Sequence, residues 1–218
     1  MTDTTHPIWD IAKVENDLQN AFANDSEKEL LKVLKDNSFL FYHLYSRKGG
    51  IQPVFREISF GAKMRCDFAW LNDNSDGPEW VLMELERPRM RIFNADGKPS
   101  SELNGAIEQV KSWQRYFHEN PMEKKRIFGA VAKFRWILVA GDKKEWDKEA
   151  AMKWRGFNNS TSDIELRSTE VFIRALQDYK ENSKAFWSFE DEPVTLGFAG
   201  LEDYWKGYGY MDLMRKVY

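Results

Sequence analysis

Two glutamates stand one residue apart in a stretch that is otherwise apolar. Residues 80–87 read Trp-Val-Leu-Met-Glu-Leu-Glu-Arg. Side chains alternate across a β-strand, so Glu84 and Glu86 share one face while Met83 and Leu85 point to the other. Neighbouring carboxylates on an apolar strand repel each other and lose hydration, which a divalent cation would offset. Carboxylate oxygens suit Mg²⁺ or Mn²⁺, so the pattern predicts a metal site.

A third carboxylate, Asp67, lies in the preceding strand-like run. Residues 72–78 are rich in Asn, Asp, Ser, Gly and Pro, which predicts a hairpin loop. Asp67 and Glu84 lie at roughly equal offsets from this loop, so we expect them to be neighbours across the two strands. Three converging carboxylates favour metal binding. The alternative is that Arg56 or Lys63 pairs with these acids.

Two further polar side chains lie beside apolar helical stripes. Glu27 lies on the helical side that carries Leu30 and Leu34, from which it would reach the acidic site as a ligand or a ligand positioner. Gln109 flanks the stripe of the helix predicted over residues 101–119, where it would orient a water molecule or a phosphate. By pattern alone, Glu27 is equally typical of a solvated helical glutamate, and Gln109 is more typical of an exposed residue.

The elements that must position these residues follow from periodicity and turn signals. A helical stretch over residues 15–34 breaks at 24–26, where Ser26 caps a second helix that ends near residue 37. Residues 38–45 are typical of either a strand or a helical turn, and residues 47–50 of a turn. The remaining predicted elements are strands at 54–60, 65–71, 80–87, 135–140 and 163–167, and helices at 101–119, 142–153 and 169–180. This order predicts an α/β (α+β) fold in which helices flank a mixed sheet.

The charge of the chain is uneven. The whole sequence has a net charge of −3, whereas residues 87–135 hold eleven Lys or Arg against five Asp or Glu, a net of +6, which leaves −9 for the rest. This basic stretch begins where the acidic motif ends, as a site for a phosphodiester backbone requires. The candidates for DNA-backbone contacts are Arg87, Arg89, Arg91, Lys111 and Arg115. A solvated helix face is the alternative.

Several classes of protein are disfavoured by the sequence. A single cysteine, Cys66, excludes an internal disulfide and suits a reducing compartment, and its strand position favours a small buried side chain. The histidines His6, His43 and His118 lack the spacing of zinc ligands. No apolar run approaches membrane-spanning length, and the polar N-terminus lacks the features of a secretory signal. We therefore expect a cytoplasmic protein without a membrane partner.

Taken in order, these motifs resemble the nuclease domain of the Shedu anti-phage defence family, a branch of the PD-(D/E)xK superfamily. The resemblance covers about residues 27–176. It rests on the helix at 27–37, Cys66-Asp67-Phe68, Met83-Glu84-Leu85-Glu86-Arg87-Pro88, the loop at 93–100, the Gln109-bearing helix, the strand at 137–141 and the closing strand and helix at 166–176. It implies a restriction-endonuclease-like core, Mg²⁺- or Mn²⁺-dependent DNA cleavage and a homo-oligomer. The implied site is Asp67, Glu84 and Glu86 on the metal, supported by Glu27 and Gln109.

One position departs from the family pattern. The family has lysine where this chain has Glu86, and that lysine is thought to position the attacking water and stabilise developing negative charge. Glutamate cannot stabilise an anion, but it can bind a second metal or act as a general base, and some restriction endonucleases of the superfamily carry glutamate here. The alternative function is a catalytically silent domain that binds nucleic acid or a protein partner.

Three regions are expected along the chain. Residues 1–26 form an N-terminal helical extension, residues 27–182 a PD-(D/E)xK nuclease-like domain, and residues 183–218 an aromatic-rich C-terminal extension. This last region is too aromatic for a disordered tail. It is expected to pack on the core or to form an interface.

Overall fold

The computed structural model describes residues 8–46 and 52–218. The turn predicted at residues 47–50 lies outside these ranges, as do His6 and the first part of the predicted N-terminal extension. Within the described residues, the chain has no helix with both the length and the apolar character needed to cross a membrane.

The strands of the described residues form one mixed sheet, which confirms the predicted fold class. The strands are β1 (Phe55–Phe60), β2 (Met64–Asn74), β3 (Gly77–Leu85), β4 (Lys133–Val139), β5 (Ile164–Arg167) and β6 (Leu196–Gly197). Their order is β5-β4-β3-β2-β1-β6. The chain forms β1, β2 and β3 as an antiparallel meander, whereas β4 and β5 extend the sheet in parallel and β6 pairs in parallel with β1.

Helices cover both faces of this sheet. In the described residues they are α1 (Ile11–Ala23), α2 (Glu27–Asp36), α3 (Ser101–Glu119), α4 (Pro121–Phe128), α5 (Lys143–Trp146), α6 (Glu149–Thr161), α7 (Glu170–Glu181), α8 (Ala199–Gly207) and α9 (Gly209–Met214), with 3₁₀ helices at Ser38–Phe41 and Ser183–Phe189. The predicted cap of α2 is confirmed, because the Ser26 hydroxyl accepts the Glu29 N–H at 3.2 Å. Ser100 caps α3 in the same way, accepting from the N–H of Leu103 at 3.0 Å.

Each face of the sheet has its own apolar core. Trp80 and Leu82 pack with Trp113 of α3 on one face. Trp70 and Met83 pack on the other face, in the core that α1, α2 and α7 cover. The two cores follow from strand alternation, since adjacent residues of β3 enter opposite cores.

The C-terminal residues complete both cores. Leu201, Trp205 and Met211 are buried in the core on the α3 face, and Phe186 and Phe189 are buried in the opposite core. This packing anchors the aromatic region on its own chain. Among its exposed apolar side chains, Trp187 keeps 57% of its surface in solvent.

A short segment before β6 is hydrogen-bonded to the N-terminal elements. The Pro193 carbonyl accepts from the indole N–H of Trp9 and from the backbone N–H of Ser38, each at 3.0 Å. The N–H of Thr195 donates to the carbonyl of Lys35 at 2.9 Å. Residues 193–197 therefore join β1 to the end of α2 and to the 3₁₀ helix that follows it.

Some predicted boundaries were wrong. Residues 72–74 and 77–78 belong to paired strands, so the hairpin turn is only residues 75–76 rather than the predicted loop at 72–78. Strand β3 ends at Leu85, one residue before Glu86. Residues 38–41 form a 3₁₀ helix, which agrees with the helical turn that was one of the two alternatives for this stretch. The helix predicted to run through residue 153 divides into α5 and α6. The helix predicted at residues 101–119 has these bounds in α3, but α4, which begins at Pro121, was not predicted, although proline is well tolerated in a first turn.

Candidate metal centre

The β2–β3 register brings Asp67 to Glu84, as the sequence predicts. Phe68 pairs with Met83, and the next antiparallel step places Asp67 opposite Glu84. Both carboxylates are buried, with 9% and 7% of their residue surface exposed. The Oδ2 atom of Asp67 also accepts the backbone N–H of Leu85 at 2.9 Å, which fixes its carboxylate across the end of β3.

The backbone of β1 is irregular beside Asp67. Glu57, which faces Asp67 in the register, has a φ of +56°, in the left-handed region. Phe55 and Ile58 pack in the same core although regular alternation would place them on opposite faces. The alternation of inward and outward side chains therefore shifts by one residue at Glu57. As a result, apolar residues before and after Glu57 face the same core. Such a conformation costs about 1–3 kcal/mol, a strain that clusters at functional sites.

The turn between α1 and α2 is tied to the segment that follows β3. Asp25, with a φ of +48°, accepts from Nη1 of Arg87 and from the backbone N–H of Arg89, both at 2.7 Å. Glu27 begins α2 two residues later, and Glu86 immediately precedes Arg87. One aspartate therefore holds together the two segments that supply Glu27 and Glu86.

Helix α3 brings Gln109 onto Glu84. Ala106, Val110 and Trp113 bury the apolar side of α3, and Gln109 lies at the edge of that side. Its Nε2 donates to Oε1 of Glu84. The other carboxylate oxygen of Glu84, Oε2, is buried without a hydrogen-bond partner. A buried polar atom without a partner is costly.

These side chains surround one cleft of about 670 Å³. Its polar lining comprises Glu27, Asp67, Glu84, Glu86 and Gln109, together with Ser59, Lys63, Arg65 and Ser112. We call it the acidic cleft. The structure therefore brings together all five side chains proposed from the sequence as catalytic, although their chemical roles stay predictions.

Comparison with known proteins identifies the group to which this chain belongs. The family model described as "Shedu protein SduA, C-terminal" matches residues 24–168, about two thirds of the chain. The chain belongs to the Shedu family. Membership of the Shedu family supports a role in anti-phage defence, and it confirms the resemblance drawn from the motifs. A search of curated proteins finds no match.

The Shedu match includes every acid of the acidic cleft. Within the cleft, the negative charge of each acid disfavours ionisation of the others. Burial and the negative charge of Glu27 together raise the pKa of Asp67 to about 6 and that of Glu86 to about 7, burial having the larger effect. Burial and the charges of Asp67 and Glu86 also raise the pKa of Glu84 well above its usual range. Burial raises the pKa of Glu27, which the charge of Arg87 partly opposes. A bound cation would relieve this repulsion.

The donor set fits a hard divalent cation by type and charge. The unpartnered Oε2 of Glu84 and the acids around it supply the oxygen ligands that Mg²⁺ and Mn²⁺ prefer. In the described ranges, however, no group of three or more His, Cys, Asp or Glu side chains is arranged as a metal-holding set. Two of the oxygens are occupied by the N–H of Leu85 and the amide of Gln109. The metal role of Asp67, Glu84 and Glu86 therefore stays a prediction.

The cations beside these acids are not those singled out from the basic stretch. Arg87 pairs with Asp25 and Glu102, and Arg115 pairs with Glu108. Neither these arginines nor Arg89, Arg91 and Lys111 are among the residues that line the acidic cleft. Contacts of these five side chains with DNA stay a prediction.

Among the described residues, the cations that line the acidic cleft are Lys63 and Arg65. Sequence reasoning considered Lys63 only as an ion-pair partner and overlooked Arg65. A signal was present, because Arg65 precedes Asp67 by two residues and strand alternation puts such a pair on one face. The alternative pairing of the acids with Arg56 is wrong, since Arg56 donates to the carbonyl and the hydroxyl of Thr195.

The metal-free protein is expected to lose stability as the pH rises from about 4 to 7. The pKa values of Asp67 and Glu86 are higher in the folded chain than the ordinary value near 4 of the unfolded chain. The folded state therefore binds more protons, and this stabilisation disappears as the pH passes about 6 and then 7. We expect a loss on the order of 1 kcal/mol, or a few degrees in melting temperature.

Melting temperatures measured in EDTA across this pH range test the expectation. Glu86→Gln should flatten the pH profile, whereas Glu181→Gln, at an exposed glutamate outside the cleft, should not. An equal slope for wild type and Glu86→Gln would contradict a raised pKa at Glu86.

Proposed function

We propose that this Shedu chain is a Mg²⁺- or Mn²⁺-dependent DNA endonuclease that acts in anti-phage defence. The observation that carries the proposal is the convergence of four carboxylates on one cleft, where Oε2 of Glu84 is buried without a partner. Buried carboxylates with mutually raised pKa values are typical of sites built to receive a cation.

Asp67 and Glu84 are the proposed principal metal ligands. When bound, the cation would supply Lewis-acid polarisation of the scissile phosphate and lower the pKa of a water molecule. Leu85 and Gln109 hold the two carboxylates in place through their hydrogen bonds. The carboxylates would therefore lose little conformational entropy when a cation binds.

Glu86 is the proposed general base. Burial and the charges of Glu27 and Asp67 raise the pKa of Glu86 above the ordinary carboxylate value, which strengthens it as a proton acceptor. One proton of the attacking water passes to a carboxylate oxygen of Glu86 as the water oxygen bonds to phosphorus. The bond from phosphorus to the leaving sugar oxygen then breaks, and that oxygen keeps the electron pair and takes a proton from solvent water. The negative charge of Glu27 helps to keep Glu86 basic.

In the family pattern, a lysine at the position of Glu86 provides positive charge. Arg65 is the proposed source of that charge in this chain. Its charge lowers the pKa values of both Asp67 and Glu84, so its field reaches the centre of the cleft. The side chain is 55% exposed, and it meets Glu57 only at 3.6 Å. It is therefore available to a phosphate oxygen on which charge develops.

A second candidate function rests on the identity of residue 86. A glutamate at the usual lysine position adds repulsion to the cleft and removes a cation from it. A silent domain of this kind would bind nucleic acid or a protein partner without cutting DNA. It would then be a defence protein whose nuclease core serves recognition.

Cleavage of supercoiled plasmid and linear duplex DNA tests both candidates. Wild type is expected to nick DNA in Mg²⁺ or Mn²⁺ and to be inactive in EDTA. Glu86→Lys, assayed beside it, should be slower because the proposed base is absent. No wild-type cleavage in either metal, with activity gained in Glu86→Lys, would overturn the endonuclease proposal and support the silent domain.

A further inference from the structure

A second cleft, of about 550 Å³, lies at the carboxyl ends of β4 and β5. Its charged lining comprises Lys143, Arg155, Arg167 and Arg174 against Asp147 and Glu170. We call it the basic cleft, and it shares no lining residue with the acidic cleft. The excess of cations in a concave site suits an anionic ligand.

The fold builds the basic cleft on a rigid floor. Trp146 is 1% exposed, and its indole N–H donates to the carbonyl of Ala140 at 2.6 Å. The guanidinium of Arg155 lies over this ring, with Cζ 5.1 Å from the centroid. Stacking on a fixed aromatic ring limits the motion of Arg155 and leaves its N–H groups available to a ligand.

The positive charge in the basic cleft is incompletely neutralised. Arg167 is paired with Glu165, but Arg155 and Arg174 form no ion pair within the described ranges. Arg155 is also half-buried, and burial together with the charge of Arg167 lowers its pKa. Asp147 offsets this effect only in part. An anion held between the arginines would restore the balance.

The position of the basic cleft relates it to the acidic cleft. The N–H of Glu86 donates to the carbonyl of Val139 on β4, and Val139 is paired with Arg167 on β5. Adjacent strands lie about 4.8 Å apart, so β3 and β5 are separated by about 10 Å along the same edge of the sheet. Both clefts are therefore built at the carboxyl ends of the parallel strands β3, β4 and β5.

We propose that the basic cleft binds phosphate groups, through Arg155 and Arg174 with Lys143 beside them. Guanidinium groups match phosphate oxygens in paired hydrogen bonds, which favours phosphate over a simple halide. The phosphate comes from a DNA backbone or from a free nucleotide. The inference does not require cleavage at the acidic cleft.

Phosphate binding is tested in EDTA, where metal-dependent cleavage cannot contribute. The probes are a fluorescein-labelled 30-base-pair duplex, read by anisotropy across a salt series, and ATP and pyrophosphate, read by calorimetry. The variant is the double substitution Arg155→Gln and Arg174→Gln, which keeps most of each aliphatic stem. Its control is Lys184→Gln with Lys216→Gln, which removes the same charge at two exposed positions outside both clefts.

The result expected for a DNA backbone is at least about tenfold weaker duplex binding than in the control pair, with a salt slope smaller by about 2. A comparable loss confined to ATP and pyrophosphate would instead assign the basic cleft to a free nucleotide. Equal affinities of the two double variants for all three probes, at matched melting temperatures, would overturn the proposal. Failure of plasmid cleavage in metal would leave these affinities unaffected, so the two proposals fail separately.

Discussion

Glu84→Gln is expected to lower metal-dependent DNA cleavage by at least about a thousandfold while the protein remains folded. Glutamine has nearly the shape of glutamate but lacks the charge that would hold the cation. Because burial and the neighbouring acids raise the pKa of Glu84, glutamine also resembles the protonated side chain that the metal-free cleft favours. The variant should therefore melt in EDTA at pH 8 at or above the temperature of wild type.

The same experiment has a matched control on the same strand. Glu79 lies on β3 outside the acidic cleft and is 3.6 Å from Lys133, so Glu79→Gln should leave the cleavage rate nearly unchanged. Mn²⁺ should raise the melting temperature of wild type and of Glu79→Gln, but not that of Glu84→Gln. Full cleavage by Glu84→Gln would exclude Glu84 as a metal ligand.

Arg65→Gln is expected to reduce the turnover number by about a hundredfold with little change in KM, because one donor to the developing charge is lost. Removing the cation should leave Mn²⁺ affinity equal or slightly higher, since Arg65 competes electrostatically with a bound metal. Single-turnover cleavage and Mn²⁺ calorimetry separate these effects. A merely structural role would weaken metal binding and lower the melting temperature together.

Arg115→Gln is the comparison for Arg65→Gln. Arg115 lies on α3, outside the acidic cleft, where it pairs with Glu108. We expect its loss to change DNA affinity at most and to leave the turnover number unchanged. A similar fall in turnover for both variants would mean that Arg65 acts only through the general positive field of the surface.

The sequence predicted the acidic cleft because its geometry depends on local rules. Strand alternation predicted that Glu84 points to the face opposite Met83 and Leu85. The equal offsets of Asp67 and Glu84 from the hairpin turn predicted that these two residues are neighbours. The helix cap at Ser26 located the start of α2 and thus Glu27. Pattern and spacing were sufficient for Asp67 and Glu84, whereas only the family resemblance favoured a place in the cleft for Glu27 and Gln109.

Other features depend on distant residues and could not be predicted in this way. The left-handed backbone at Glu57 is unusual for a glutamate, and no local signal marks it. Asp25 was taken for part of a helix break, although its carboxylate joins two segments more than sixty residues apart. The basic cleft combines α5, α6, β5 and α7, whose separate charges are ordinary along the sequence.

The hydrogen bonds made by residues 193–197 can form only late in the synthesis of the chain. All the acids of the cleft leave the ribosome at least a hundred residues before this segment, which then hydrogen-bonds to the end of α2 and to β1. At about 5–20 residues per second, a nascent chain spends seconds with its sheet edge and the end of α2 unsecured. The hydrogen bonds that secure the end of α2 and the β1 edge of the sheet therefore form only after the C-terminal region has been translated.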